Sequence, residues 1–347
     1  MAQIDAVLNM AVQARASDVH VSSGNPFIIR RFGRLNKVKS KELTAEAAKN
    51  LIFEILSPTQ QKIFEQDLQL DFSYEVRGIG RFRGNAILQR NGLDATFRVI
   101  PPKIPSLEEL GLPPVVKKFC DFHQGMILVT GATGQGKSTT MASMIDLINS
   151  SRPVHILTIE DPIEFVHPIK KGVVNQRQLG MHTRSFPNAL RAALREDPDV
   201  IMVGELRDLE SIRLAVTAAE TGHLVLGTLA TSSGPKTIDR IIDSFPSDEQ
   251  NQIRAMLAEG LRSVITQKLL PSADNKGLVL AAEIMIGTIP LANLIRSEKT
   301  FQIPSVMQTG KALGMQSMDD AIQHLLQQGK ITKQTAIEHA ESKKRFA

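Results

Sequence analysis

The chain has 347 residues, with 41 lysines and arginines against 36 aspartates and glutamates, a formal net charge of +5, 42% hydrophobic residues and one cysteine. That length supports two or three domains with a sizeable core, and so nearly balanced a charge supplies no basic stripe or aromatic-basic groove, so nucleic acid is not an expected partner. The lone Cys120 excludes an intrachain disulfide and a cysteine-rich zinc site, fits a reducing compartment, and reads as a small packed apolar side chain.

Residues 1 to about 100 read as a mixed α/β domain. An amphipathic helix opens it without a basic leader and long apolar core, and no run in the chain approaches the ~18 apolar residues of a spanning helix. Membrane contact is therefore expected only through partners. Short alternating strands are predicted around Val19 to Val21, Ile28 to Arg30 and Phe72 to Tyr74, with helical periodicity over Thr44 to Ile55 and again after Ser57 and Pro58. Gly80 to Leu88 alternates as a strand should. Its Arg81 and Arg83, with Arg98 farther on, are either solvated strand arginines or planar guanidinium groups of the kind a neighbouring subunit applies to a triphosphate.

Pro101, Pro102, Pro105, Pro113 and Pro114 interrupt regular structure and mark a domain boundary, a semi-rigid linker being predicted over 101–117. Beyond it, apolar strand runs at 127–130, 154–159, 200–203, 224–228 and 278–286 alternate with helical patterns, which predicts a mostly parallel sheet. The first run leads into Gly131, Ala132, Thr133, Gly134, Gln135, Gly136, Lys137 and Ser138, a complete phosphate-binding loop followed by a helical run from Thr139. Such a turn exposes consecutive backbone N–H groups, its glycines remove side chains that would block phosphate, and the helix N-terminus adds favourable potential. Lys137 would reach the β- and γ-phosphates of ATP, Ser138 offers a hydroxyl to Mg²⁺, and Thr139 is a polar first-turn contact for phosphate oxygens.

The 154–159 run ends in Glu160-Asp161-Pro162-Ile163-Glu164. Three carboxylates within five residues repel one another unless a cation compensates them, so Glu160 and Glu164 are candidates to hold Mg²⁺ through water; a polar turn is the plainer alternative. The 200–203 run delivers Glu205 as candidate catalytic base, with Gly204 standing where a Walker B aspartate is expected. His223, just ahead of the 224–228 run, either senses a γ-phosphate by hydrogen bonding or serves structure alone. Past residue 288 the pattern is helical and polar, and the closing Lys343-Lys344-Arg345 is expected to be a solvated end.

In order along the chain, GATGQGKST (131–139), TIEDPIEF (158–165), LREDPDVIMVGELRD (194–208) and AAETGHLVLGTLATSSGPKTIDRIIDSFP (218–246) resemble the secretion ATPases of type IV pilus systems, in particular their twitching or retraction subfamily. The likeness spans nearly the full length and includes Ala16 to His20, Gly80 to Arg83 and Gly314 to Asp319. It implies an α/β chain with a PAS-like N-terminal domain over 1–100, a linker at 101–117, a RecA-like P-loop ATPase core over 118–288 and a C-terminal helical region over 289–347. It also implies a homohexamer with nucleotide between subunits, cytoplasmic and peripheral at the inner membrane through a pilus platform protein. By position, the resemblance gives Lys137 and Ser138 the phosphates and Mg²⁺, Glu160 and Glu164 the aspartate box, Glu205 the role of base and His223 the histidine box. Arg81 and Arg83 resemble arginines that reach the adjacent subunit's nucleotide. Hydrolysis would rotate one domain against the other, and the ring would pass that motion to the platform to remove pilin subunits.

Two stretches depart from the family pattern. Where a GTLHTN-like segment usually carries a second histidine, this chain reads Gly227-Thr228-Leu229-Ala230-Thr231-Ser232, and Ala230 neither donates a hydrogen bond nor titrates. A C-terminal pattern resembling AIRNLIRE here reads Pro290-Leu291-Ala292-Asn293-Leu294-Ile295-Arg296-Ser297. A retraction motor is the expected function. The alternatives are an accessory nucleotide-binding ring subunit with weak hydrolysis beside a paralogous ATPase, to which Ala230 points, and a pilus assembly or secretion ATPase. Extension members of the family typically carry a four-cysteine zinc site, which one cysteine cannot build.

Overall fold

The computed structural model describes residues 2–31, 34–101 and 103–346. They form two compact units, one holding the chain up to Lys103 together with Pro162–Phe165, the other Ile104–Asp161 together with the chain from Val166 onward. Pro102 of the proline-rich boundary lies outside the described residues, as do Met1, Phe32, Gly33 and Ala347.

In the N-terminal unit the strands β1 (Asp18–Val21), β2 (Ile28–Arg31), β3 (Arg34–Lys37), β4 (Gln69–Val76), β5 (Gly80–Gln89) and β6 (Gly92–Ile100) form one sheet in the order β3-β2-β1-β6-β5-β4. Every neighbouring pair is antiparallel. Helices Asp5–Gln13, Ala45–Phe53 and Pro58–Asp67 add Leu8, Ile52 and Phe64 to a core that also takes Phe72, Phe82 and Phe97. Local chemistry starts two of these helices. Thr44 Oγ1 accepts from the Ala47 N–H at 3.1 Å, and Ser57 forms a capping box with Gln60 around Pro58, each cap contributing about 1 kcal/mol. Strands β3 and β6 were not among those predicted. The first is exposed along its length and carries no alternating pattern, whereas β6 buries Leu93, Ala95 and Phe97 in strict alternation after an Asn91-Gly92 turn, a signal the sequence did contain.

The second unit is built on β7 (Gly125–Thr130), β8 (His155–Glu160), β9 (Val173–Gln178), β10 (Val200–Val203), β11 (Leu224–Leu229), β12 (Leu261–Pro271) and β13 (Leu278–Ile286), in the order β13-β12-β7-β11-β10-β8-β9. All pairs are parallel except β12 with β13. Alternation along β7 sends Met126 and Leu128 into one core and Ile127 and Val129 into another. Both faces are therefore buried, which is why the central strands read as unbroken apolar runs. Helix Lys137–Ser151 covers one face with Met141, Met144 and Ile145, joined by Leu107 and Leu112 from inside the predicted linker and by Cys120. Burial pushes the Cys120 thiol up to about 12. Helices Phe186–Ala193, Leu209–Glu220 and Gly234–Ile242 cover the other face with Leu190, Ile212 and Ile238.

The C-terminal helices divide between two cores. Ile289–Arg296 and Ile303–Thr309 add Leu291, Ile295, Ile303 and Met307 to the second face, while Met318–Gln327 and Lys333–His339 form a separate cluster on Leu270 and Ala281. Lys343, Lys344 and Arg345 are exposed, as expected of a solvated end, with Arg345 donating to Asp320 at 2.8 Å, while the Phe346 that follows them is buried in that last cluster.

Candidate functional site

In a parallel sheet all strands end at one edge, and the loops that leave that edge are neighbours. Strand register sets the loops after β7, β8, β10 and β11 side by side: Leu229 pairs with Thr130, and Val203 pairs with both Ile159 and Gly227. The edge therefore gathers the phosphate loop, Glu160 and Asp161, Gly204 to Asp208, and Ala230 to Ser233.

Two glycines make the phosphate loop possible. Gly136, the N-cap of helix Lys137–Ser151, has φ 82°, a left-handed value that a side chain would strain. Gly131 has φ 138°, and a Cβ there would lie 2.6 Å from the Gln267 carbonyl oxygen. The loop is braced from β12, where the Leu269 N–H donates to Gln135 Oε1 at 2.5 Å and Gln267 Nε2 donates to Thr140 Oγ1 at 2.6 Å. Lys137 Nζ donates to the carbonyls of Gly131 at 2.8 Å and Ala132 at 3.1 Å, so its charge lies across the loop. Burial lowers the Lys137 ammonium below its ordinary value, and the nearby Glu205 carboxylate opposes that shift. Thr133 and Ser138 are exposed at the loop, and Thr139 is partly so.

Glu205 stands just past the end of β10, where its Oε2 is 2.7 Å from Arg207 Nη2. The bond to Glu205, with the charge of Asp161 adding to it, raises the Arg207 guanidinium above its ordinary value. Lys137, Glu205, Arg207 and Asp161 thus form one cluster of alternating charge. Gly204 has a steric reason for being glycine: a Cβ would approach the Ile159 carbonyl oxygen to 3.1 Å and Glu160 Cα to 3.3 Å. An aspartate would need the β8 backbone there to give by a few tenths of an ångström. Glu160 is buried and oriented by two donors on its Oε1, Thr158 Oγ1 at 2.6 Å and Gln176 Nε2 at 2.9 Å.

The remaining sequence-predicted residues lie elsewhere. Glu164, read together with Glu160, belongs to the N-terminal unit, where Arg83 Nη1 is 3.7 Å from its carboxylate. Arg81 in that unit donates to Glu75 at 3.0 Å and to the Ile163 carbonyl at 3.2 Å, and Arg98 pairs with Asp18 at 3.1 Å. His223 is a correction. It precedes β11 at the opposite end from the phosphate loop, since Leu224 pairs with Gly125, and the strand's rise puts it roughly 20 Å from that edge. Its Nδ1 instead meets the Ala218 carbonyl at 3.1 Å. Ala230 is the residue that follows β11 at the phosphate edge. Gln267, Thr158, Gln176 and Arg207 were not singled out from the sequence: Thr158 and Arg207 lie within quoted motifs but were given no role there, and Gln176 and Gln267 lie on β9 and β12, which went unrecognised as strands.

Gln176 also accepts from the His167 N–H at 2.9 Å. Burial drags the His167 imidazole down to about 4 from 6.5, outweighing the attraction of Asp146, with Lys170 pushing the same way. With the folded pKa below the unfolded one, the unfolded chain takes up the proton first as pH falls. Stability is then unaffected above about pH 6.5 and declines between about 6.5 and 4, by on the order of 2–3 kcal/mol. His167→Gln is expected to remove that part of the acid decline, read as denaturant midpoints of both proteins at pH 7.5 and 5; parallel declines in the two would contradict it.

The family described as "Type II/IV secretion system protein" matches residues 1–342. The type IV pilus retraction ATPase PilT of Pseudomonas aeruginosa is 50% identical over 343 residues, which is 99% of each chain. A twitching motility protein of Neisseria gonorrhoeae is 49% identical over 334 residues, 94% of this chain and 89% of its own. The crystal structure of a pilus retraction motor PilT with bound ADP superposes with a TM-score of 0.89 at 46% identity, over 98% of this chain and 97% of that one.

Proposed function

The chain belongs to the type II/IV secretion system protein family, and from that premise we propose that it is the ATP-hydrolysing motor that retracts type IV pili. The observation that carries this is the half-identity to a retraction ATPase over the full length of both chains, with the phosphate loop intact. In the proposed mechanism the amides of Gly131 to Ser138 and the Lys137 ammonium hold the β- and γ-phosphates of ATP, with Thr139 beside them. Glu205 takes a proton from the attacking water, and Arg207 holds that carboxylate in place until it does.

The hydroxyl of Ser138 and the carboxylate of Glu160 suit a hard cation that keeps water and phosphate oxygens as most of its ligands, so Mg²⁺ fits here. When bound it would neutralise charge on the β- and γ-phosphates. Glu160, fixed by Thr158 and Gln176, would accept hydrogen bonds from water on that cation. Glu164, 3.7 Å from Arg83 Nη1, is the second carboxylate that would hold the cation through water.

Six copies form the ring, Arg81 and Arg83 serve a neighbouring subunit's nucleotide, and the ring works in the cytoplasm against an inner-membrane platform protein that sheds pilin. Support for these assignments is the family likeness. No described helix is long and apolar enough to cross a membrane, so attachment to the membrane in this scheme runs through partners. Deleting the gene is expected to leave cells with surface pili and without twitching. Loss of surface pili would overturn retraction in favour of assembly. Ala230 favours one second reading, an accessory ring subunit with weak hydrolysis; turnover of the purified protein no higher than that of Lys137→Ala would select it.

A further inference from the structure

Glu283 is a buried carboxylate on the edge strand of the sheet, only 5% exposed. It lies on β13 directly across from Thr266 of β12, and Thr266 lies across from Thr130 of β7. The Thr130 hydroxyl donates to Thr266 Oγ1 at 2.9 Å, and the Thr266 hydroxyl donates to Glu283 Oε1 over a long 3.5 Å. The same oxygen accepts the Gly234 N–H at 2.7 Å. Thr130 is the residue before Gly131, and Gly234 is the residue after the Ala230 to Ser233 segment. A continuous polar path thus joins the root of the phosphate loop to the root of the segment that leaves β11 at the same edge.

Polar groups buried in a sheet are costly unless each is satisfied, and replacing Thr130, Thr266 and Glu283 together with apolar residues of similar shape would cost the fold little. What they supply is register. Gly234 is also pressed on β13, where a Cβ would come 2.8 Å from Met285 Sδ. Beyond it Thr231 bonds Thr237 at 2.7 Å, and Ser233 caps helix Gly234–Ile242. Burial raises the Glu283 carboxyl above its ordinary value, partly offset by the Gly234 N–H. Because Ala230 brings no imidazole to the phosphate edge, the amides and hydroxyls of 231–233 are the polar groups this segment has to offer a γ-phosphate, and they act only if held still.

We propose that Glu283 is a positioning residue for ATP hydrolysis, holding the 230–234 segment in fixed register with the phosphate loop through Gly234 and Thr266. This rests on the assignment of ATP hydrolysis to that loop. The test is steady-state turnover, KM for ATP and thermal melting of wild type, Glu283→Ala, Glu283→Gln and Thr266→Val, with Lys137→Ala as background. Glu283→Ala is expected to lower kcat about tenfold with KM nearly unchanged. Glu283→Gln keeps an oxygen for Gly234 and is expected to recover most of the loss. Thr266→Val, nearly isosteric, cuts the path to Thr130; it melts somewhat lower because the Thr130 hydroxyl loses its acceptor, but it is expected to lower kcat at temperatures where it is fully folded, and it decides the matter if Glu283→Ala does not fold. Unchanged kcat in Thr266→Val and Glu283→Ala, or a rise in KM matching the fall in kcat/KM, overturns the proposal alone. Wild-type turnover at the Lys137→Ala background overturns the hydrolysis assignment and the proposal with it.

Discussion

Replacing Lys137 by alanine is expected to lower steady-state ATP turnover by about 10³-fold while leaving the fold intact. Among the described residues its ammonium donates to the carbonyls of Gly131 and Ala132, and it is in none of their apolar cores, so the sheet does not depend on it. The catalytic loss has two sources. One positive charge disappears from the place where phosphate charge builds up, and the loop loses the side chain that spans it. Burial, which draws the ammonium below its ordinary value, makes each contact to a phosphate oxygen worth more than it would be in water. Phosphate release at saturating ATP, compared at matched circular dichroism and melting temperature, checks the expectation. Turnover within tenfold of wild type would mean that the loop at 131–138 is not the hydrolytic site.

Glu205→Gln should separate binding from chemistry. The amide has the same shape and its oxygen can still accept from Arg207, so the cluster with Lys137 and Asp161 keeps its geometry. What is lost is the ability to take a proton, and a positioned general base contributes about 10²- to 10⁴-fold. Turnover is expected to fall by that range while a fluorescent ATP analogue binds within about threefold of wild type. A variant that turns over normally would move the base to another carboxylate, Glu160 or Glu164. One that also fails to bind would make Glu205 part of the binding surface.

How far the sequence led can be followed strand by strand. β7, β10 and β11 were legible because burial on both faces writes a nearly unbroken apolar run, and β8 and β13 because apolar residues still dominate them despite Thr158 and Glu283. β9, an edge strand reading VVNQRQ, and β12, with Ser263, Thr266 and Gln267 buried on it, break that pattern because their polar residues are used by the site. The phosphate loop was legible from spacing alone, since its geometry is set by backbone and glycine. The carboxylates and the histidine were harder. Glu160 and Glu164 are four residues apart in sequence yet fall in different units, and His223 and Ala230 are separated by a strand that carries them to opposite edges of the sheet. Proximity in sequence predicts neither.

The single thiol has a practical side. Cys120 is packed beside Phe119 and Val116 in the core, and at neutral pH almost none of it is thiolate, the form that reacts with maleimides and disulfides. A cysteine introduced at an exposed surface position can therefore carry a dye or a spin label on its own, with the wild-type background left in place. Distances between such probes, read while ATP is supplied, would report whether the two units move during turnover without any core residue having been changed.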